Sequence, residues 1–148
     1  MPKVAARGWV FELSDGEEVP TWLQVEGITE WESDPSEGEE ETEITDFNSD
    51  GESETLPAQR GEAITLTGLR EMTSGEQAPG QARVEALARL KMYEGVGAFR
   101  WRHSTETSWR LWDAWVSLGS RGGGNNDMTS FECSIRRVGA EQVGTVTP

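Results

Sequence analysis

Few side chains in this sequence are equipped for catalysis. His103 is its one histidine and Cys133 its one cysteine. Together they would be the minimum for a thiolate nucleophile and its base. Each also has a plain structural reading, because both continue an alternation of apolar residues: Phe99, Trp101, His103 in one segment and Phe131, Cys133, Ile135 in another. Such spacing places them on strands, partly buried, and on two different strands. A single cysteine cannot form an intrachain disulfide. One Cys and one His fall short of a zinc ligand set.

Two further patterns bear on ligand chemistry. Asp46, Asn48, Asp50 and Gly51 occupy positions 1, 3, 5 and 6 of a calcium-binding loop, but Pro57 stands where the bidentate Glu belongs. NSDG is also an ordinary turn sequence, and no metal or other cofactor is expected. The glycine run RGGGNND (Arg121 to Asp127) lacks the Lys-Ser/Thr ending of a phosphate loop and precedes a strand where a phosphate site needs a helix. It reads as a flexible hairpin loop.

Arg100, Arg102 and Arg110 lie among tryptophans. Basic residues interleaved with aromatics suit single-stranded nucleic acid, yet the chain carries a net charge of −14, which opposes phosphate binding. Arg and Trp are also typical of protein interfaces. The expectation is therefore that Arg100, Arg102, Arg110 and Trp112 form a subunit interface, with the arginines meeting acids of a neighbouring copy.

The charge is unevenly placed. Residues 1–62 hold 18 Asp/Glu against 3 Lys/Arg, whereas residues 63–148 hold 9 against 10. Only 34% of residues are hydrophobic, and mean hydropathy is −0.61. So polar a chain with seven tryptophans and 17 glycines should have long exposed loops, or complete its burial on assembly. No stretch has the roughly 20 apolar residues of a membrane helix. The opening MPKVAARGW has too short an apolar run for a signal peptide, so a protein made and kept soluble in the cytoplasm is expected, unless a particle carries it elsewhere.

The elements that would position these residues follow from periodicity. A single domain over 1–148 is expected, opening with an arm (1–7). A strand at Trp9, Phe11 and Leu13, a turn at SDGEE and a return strand from Thr21 to Glu30 come next. Residues 32–57 read as a long acidic loop with a short strand at Glu43 to Phe47. Ala63 to Leu69 alternates as a strand. The spacing predicts a helix over 79–94, opened by Pro79 and closed by Gly95, with Ala82, Ala86, Leu87, Leu90 and Tyr93 on its buried stripe. Trp109 to Leu118 is a strand apolar on both faces, with Trp109, Leu111 and Trp115 on one side and Trp112, Ala114, Val116 and Leu118 on the other. Phe131 to Arg136 is the last strand, and 139–148 a tail. The fold class is α+β, mainly β: a sandwich or barrel with one helix packed across it.

Three sequence features in this order carry a family resemblance. They are the strand pair GWVFELSDG and TWLQVEGITEWE, the segment EITDFNSDGESETLPAQRGEAITLTG after the acidic stretch, and NNDMTSFECSI following the helix. Together they span about residues 8–138, and the chain resembles the tail tube (major tail) proteins of long-tailed bacteriophages. One departure is Ala58, where the family has glycine after Leu-Pro. The resemblance implies a non-enzymatic virion protein of the phage tail that stacks as hexameric rings into a tube. It implies tape-measure, tail terminator and baseplate or tip proteins as partners, and DNA that passes without sticking. The long loop would bridge rings, through Asp34, Pro35, Glu37, Glu39, Glu40 and Glu41. Glu12, Asp113 and Glu132, acids on predicted strands, are candidates for the lumen. Alternatives are a carbohydrate-binding β-sandwich using Trp22, Trp31, Trp101, Trp109, Trp112 and Trp115, another ring-forming virion protein such as a tail terminator or connector, or a type VI secretion tube protein.

Overall fold

The computed structural model describes residues 3, 5–46, 48, 51–53, 55–126 and 128–145. Its strands are β1 (Trp9–Ser14), β2 (Trp22–Gln24), β3 (Ile28–Asp34), β4 (Glu40–Glu43), β5 (Thr55–Gln59), β6 (Ala63–Leu69), β7 (Met72–Thr73), β8 (Glu76–Gln77), β9 (Val96–His103), β10 (Ser108–Leu118) and β11 (Ser130–Thr145). Helix α1 (Pro79–Ala88) lies between β8 and β9. Seven strands form one antiparallel sheet in the order β2-β1-β9-β10-β11-β6-β3, while β4–β5 and β7–β8 are separate hairpins.

The sheet curls on itself. β2 and β3 are its opposite edges, yet residues 25–27 suffice to join them. The Val25 N–H donates to Phe11 O at 2.8 Å, bringing that link against β1. Aromatic rings line the seam: Trp31 of β3 lies 5.0 Å from Trp9, 5.5 Å from Phe11 and 6.1 Å from Trp101. The return strand expected over Thr21–Glu30 is thus two strands on opposite edges. Gly27 makes the crossing, with φ +79 and its carbonyl accepting Leu69 N–H at 2.9 Å. A Cβ on Gly68 would overlap that carbonyl, so two glycines admit the crossing.

The inner face holds the core: Phe11, Leu13, Ile64, Leu66, Phe99, Trp101, Trp112, Ala114, Val116, Phe131, Cys133 and Ile135, with Val84 and Leu87 from α1 laid across it. The strand expected over Trp109–Leu118 is β10, with Trp112, Ala114 and Val116 inward as expected, but its other face is not covered throughout: Trp109 is buried while Asp113, Trp115 and Ser117 are exposed.

Three boundaries differ from expectation, each for a local reason. The helix stops at Ala88, and a 3-10 turn, Met92–Gly95, follows it. Its buried face is Gln81, Val84, Glu85 and Leu87, while Ala82, Ala86, Leu90 and Tyr93 are exposed. Two polar residues hold buried places because each is satisfied. Gln81 accepts from Glu71 N–H (3.0 Å) and donates to the Glu26 and Leu69 carbonyls (2.8 Å each). Glu85 pairs with Arg70 at 3.0 Å and Arg121 at 3.3 Å. The supposed tail from 139 is strand as far as Thr145, paired with the first half of β10. Gly139 (φ +77) does not end the strand but opens a bulge, in which residues 139–141 face Trp112 alone. The acidic stretch is also ordered: Glu40–Glu43 and Thr55–Gln59 pair as β4 and β5, and the register shifts at Ala58, which lies between the Glu40↔Gln59 and Glu41↔Pro57 pairs. The strand expected at Glu43–Phe47 lies earlier; Phe47 is outside the described residues.

Candidate functional site

The catalytic parts fall apart in space. Cys133 pairs with Leu118 at one end of β10, whereas His103 ends β9 beyond the opposite end of β10. Burial pushes the Cys133 thiol up to about 12, so it is protonated and a poor nucleophile at neutral pH. His103 is buried and fully engaged. The Thr105 N–H donates to Nδ1 at 3.2 Å, so Nδ1 is an acceptor and the proton sits on Nε2, which donates to Ala5 O at 3.0 Å. Its ring meets Trp9 edge-on at 5.4 Å. The histidine therefore pins the N-terminal arm to the end of β9. Among the described residues no group of three or more His, Cys, Asp or Glu is arranged to hold a metal. Asp46 accepts the Asn48 N–H at 2.9 Å, a turn contact, and Asp50 lies outside the described residues.

The arginines divide between the two faces. On the outer face the Arg100 guanidinium lies between the rings of Trp22 (4.2 Å) and Trp109 (4.1 Å) and contacts Glu12 at 2.7 Å. Arg102 also lies over Trp109, at 4.8 Å, and donates to the Glu106 carbonyl at 2.9 Å. Arg110 projects from the inner face, over Trp101 at 4.7 Å and Trp9 at 5.3 Å, with two 2.8 Å bonds to Glu106. That contact holds the Glu106 carboxyl below the usual glutamate range. Arg100 and Arg110 thus meet acids of their own chain. Trp112, expected at an interface, is 2% exposed and donates its indole N–H to Glu141 at 2.8 Å. It belongs to the wall of the curled sheet.

Glu12, Asp113 and Glu132 all lie on the outer face without forming a cluster. Register puts Glu132 beside Thr67, with Glu30 on the far side of that strand, and Asp113 beside Ala98 and Val138. Glu12 is tied to Arg100, while Asp113 is exposed. Glu30, Glu32 and Asp34 of β3 share this face by the same register. They are acids that alternation in β3 marks and that sequence reasoning left in the return strand and loop.

The six loop residues fall on one arm. Register runs from Asp34↔Ala63 through Glu40↔Gln59 to Glu43↔Thr55, so β4–β5 prolongs the β3–β6 pair out of the sheet. Asp34 ends β3 and accepts Ser36 N–H (3.0 Å) and Oγ–H (2.7 Å), holding its carboxyl below the usual aspartate range. Pro35 and Glu37 form the turn at the foot, where Gln59 Nε2 donates to Gly38 O at 2.8 Å. Glu39, Glu40 and Glu41 are exposed, as is every residue of β4 and β5.

Of the six tryptophans a sugar platform would need, Trp101, Trp109 and Trp112 are buried, Trp22 is capped by Arg100 and Trp31 lines the seam. Trp115, at 40%, is the one large exposed aromatic face among them.

No family model matches the sequence, and no curated protein matches it. Solved structures do match the fold. A chain in the virion of a native gene transfer agent particle aligns with TM-score 0.74 at 14% identity, covering 97% of this chain and 100% of that one. A chain in the tail of an empty gene transfer agent particle, determined with C6 symmetry, aligns with TM-score 0.72 at 16% identity over the same shares. A chain of the 6-fold symmetrised anti-feeding prophage baseplate aligns with TM-score 0.58 at 12% identity, covering 100% of this chain and 99% of that one. The curled antiparallel sheet with one helix is therefore a fold shared with chains of these virion, tail and baseplate structures.

Proposed function

We propose that this protein is a structural tail tube subunit, non-enzymatic, that assembles as hexameric rings stacked into a tube through which DNA is delivered. The observation that carries the reading is the whole-chain likeness to a subunit of a C6-symmetric tail. Ring formation would put the outer face of the seven-stranded sheet on the lumen, where its acids repel DNA phosphates. The β4–β5 arm would reach the next ring, and tape-measure, terminator and baseplate proteins would complete the tail. Lack of a sugar platform favours this over carbohydrate binding.

Negative-stain microscopy of the purified chain, alone and with a tail-tip complex as initiator, tests the proposal. Stacked six-fold rings are expected. Single rings that never stack would instead indicate a terminator or connector, and a monomer under both conditions would overturn the reading.

A further inference from the structure

The 3-10 turn Met92–Gly95, between α1 and β9, is a fixed projection. Its first two side chains are the most exposed large apolar or aromatic groups among the described residues, Met92 at 88% and Tyr93 at 93%. The turn is held from behind. Gly95 is buried, where a Cβ would meet the Leu90 carbonyl oxygen at 2.9 Å, and the Val96 N–H donates to Tyr93 O. Met92 has φ +54, a left-handed conformation that disfavours side chains. Strain kept under two solvated side chains points to a use for the shape of the turn.

Charge brackets the pair: Lys91 precedes it and Glu94 follows, both exposed. A complementary arrangement lies at the seam of the sheet. There a pocket of about 360 Å³ is lined by Phe11, Ile28, Thr29 and Trp31, with the exposed Arg7 and Glu30 also in its walls. β3 pairs with β6 alone, so its other edge carries no strand. Among the described residues none of Arg7, Glu30, Lys91 and Glu94 makes an ion pair within its own chain.

Topology sets turn and pocket across the molecule from each other. α1 begins beside the crossing between β2 and β3, where Gln81 donates to the Glu26 and Leu69 carbonyls. It ends against β9 and β10, where Leu87 lines a groove with Val96, Trp115 and Leu118. Its ten residues carry the chain about 15 Å from the seam to the opposite wall. Round the sheet, β1 and β9 separate the seam from the turn on one side, and β6, β11 and β10 on the other. One copy cannot join the two features, whereas copies set side by side can. A contact between unlike surfaces closes into a ring when the rotation between copies allows it.

We infer that the Met92–Tyr93 turn is a lateral knob that docks in the Trp31 pocket of the neighbouring copy within a ring. Tyr93 supplies an aromatic partner for Trp31, and Met92 supplies adaptable apolar area. Lys91 meets Glu30 of the neighbouring copy and Glu94 meets its Arg7, so the flanking charges set the orientation of the contact. The inference rests on the tube reading and names the contact that closes each ring.

Complementation between variants tests it. M92S/Y93S removes the knob, and T29K/E30K blocks the pocket and reverses its acidic rim. All four side chains are exposed, and unchanged circular dichroism and thermal midpoint establish the folds. Under conditions in which the wild-type chain forms six-membered rings, each variant alone is expected to sediment as a monomer. Mixed in equal amounts they should form a one-to-one dimer and nothing larger, because one knob and one pocket remain intact. Rings formed by M92S/Y93S would overturn the knob, and rings formed by T29K/E30K would overturn the pocket. A mixture that stays monomeric would overturn their pairing. If either variant cannot be folded, the double variant T29C/Y93C decides: under oxidation a covalent ladder ending at six copies supports the contact, and monomers alone reject it. A wild-type chain that forms no rings would count against the tube reading itself, and the inference would fall with it.

Discussion

The inner layer of the curled sheet and the β4–β5 arm are built by opposite rules. Inside, rings of Trp9, Phe11, Trp31, Phe99, Trp101 and Trp112 touch one another across four strands, with centroids 5.0–6.4 Å apart. On the arm, every residue of both strands is exposed. A two-stranded ribbon in water is marginal by itself. The comparison teaches where burial lies: the sheet is stable through its own core, while the arm buries no residue of its two strands.

Changes in the two regions should therefore separate folding from assembly. The largest effect is expected from Trp112→Ala, which empties the core and frees the Glu141 carboxylate. It should cost about 3–5 kcal/mol, read as a shift in urea midpoint, and an equal loss from an arm substitution would remove the distinction. Cys133 reports the same interior chemically. With its thiol held at about 12, labelling at pH 8 should be about a thousandfold slower in the native protein than in urea. Fast native labelling would show that the sheet opens. Gln81→Ala leaves the Glu71 N–H and two carbonyls without their partner and should cost about 2–3 kcal/mol by the same urea assay.

Smaller effects belong to the surface. Replacing residues 40–59 by a short Gly-Ser link should change stability by less than about 1 kcal/mol and abolish stacking; normal stack lengths in micrographs would remove the arm from assembly. The least effect is expected from pH at Glu106. Its folded carboxyl titrates below the ordinary 4.5, chiefly through the hydrogen bond from Arg110. The ionised form is thus favoured by folding, and its stabilisation is complete above the ordinary value and lost as pH falls through the folded one. Because the pair is about one-third exposed, the contribution should be under about 1 kcal/mol. Glu106→Gln should remove that part of the acid dependence, and an unchanged pH profile below 4.5 would contradict it.

Alternation over Trp9–Leu13, Ala63–Leu69, Phe99–His103, Trp109–Leu118 and Phe131–Ile135 already marks the strands that line the core, because a half-buried strand repeats every two residues whatever it pairs with. The mainly β class and the acidity of the first half were legible for the same local reasons. The order of motifs also carried the tail tube resemblance, which the fold of tail-particle subunits matches. What periodicity cannot express is pairing at a distance. That β2 and β3 sit on opposite edges of a sheet closed by Trp31 depends on glycines 27 and 68 fitting against each other. That Gln81 and Glu85 face inward depends on partners 10 to 55 residues away along the chain for Gln81 and 15 and 36 residues away for Glu85. The division of Arg100 and Arg110 between two faces and the bulge at Gly139 likewise follow from the register of seven strands, which no single segment contains.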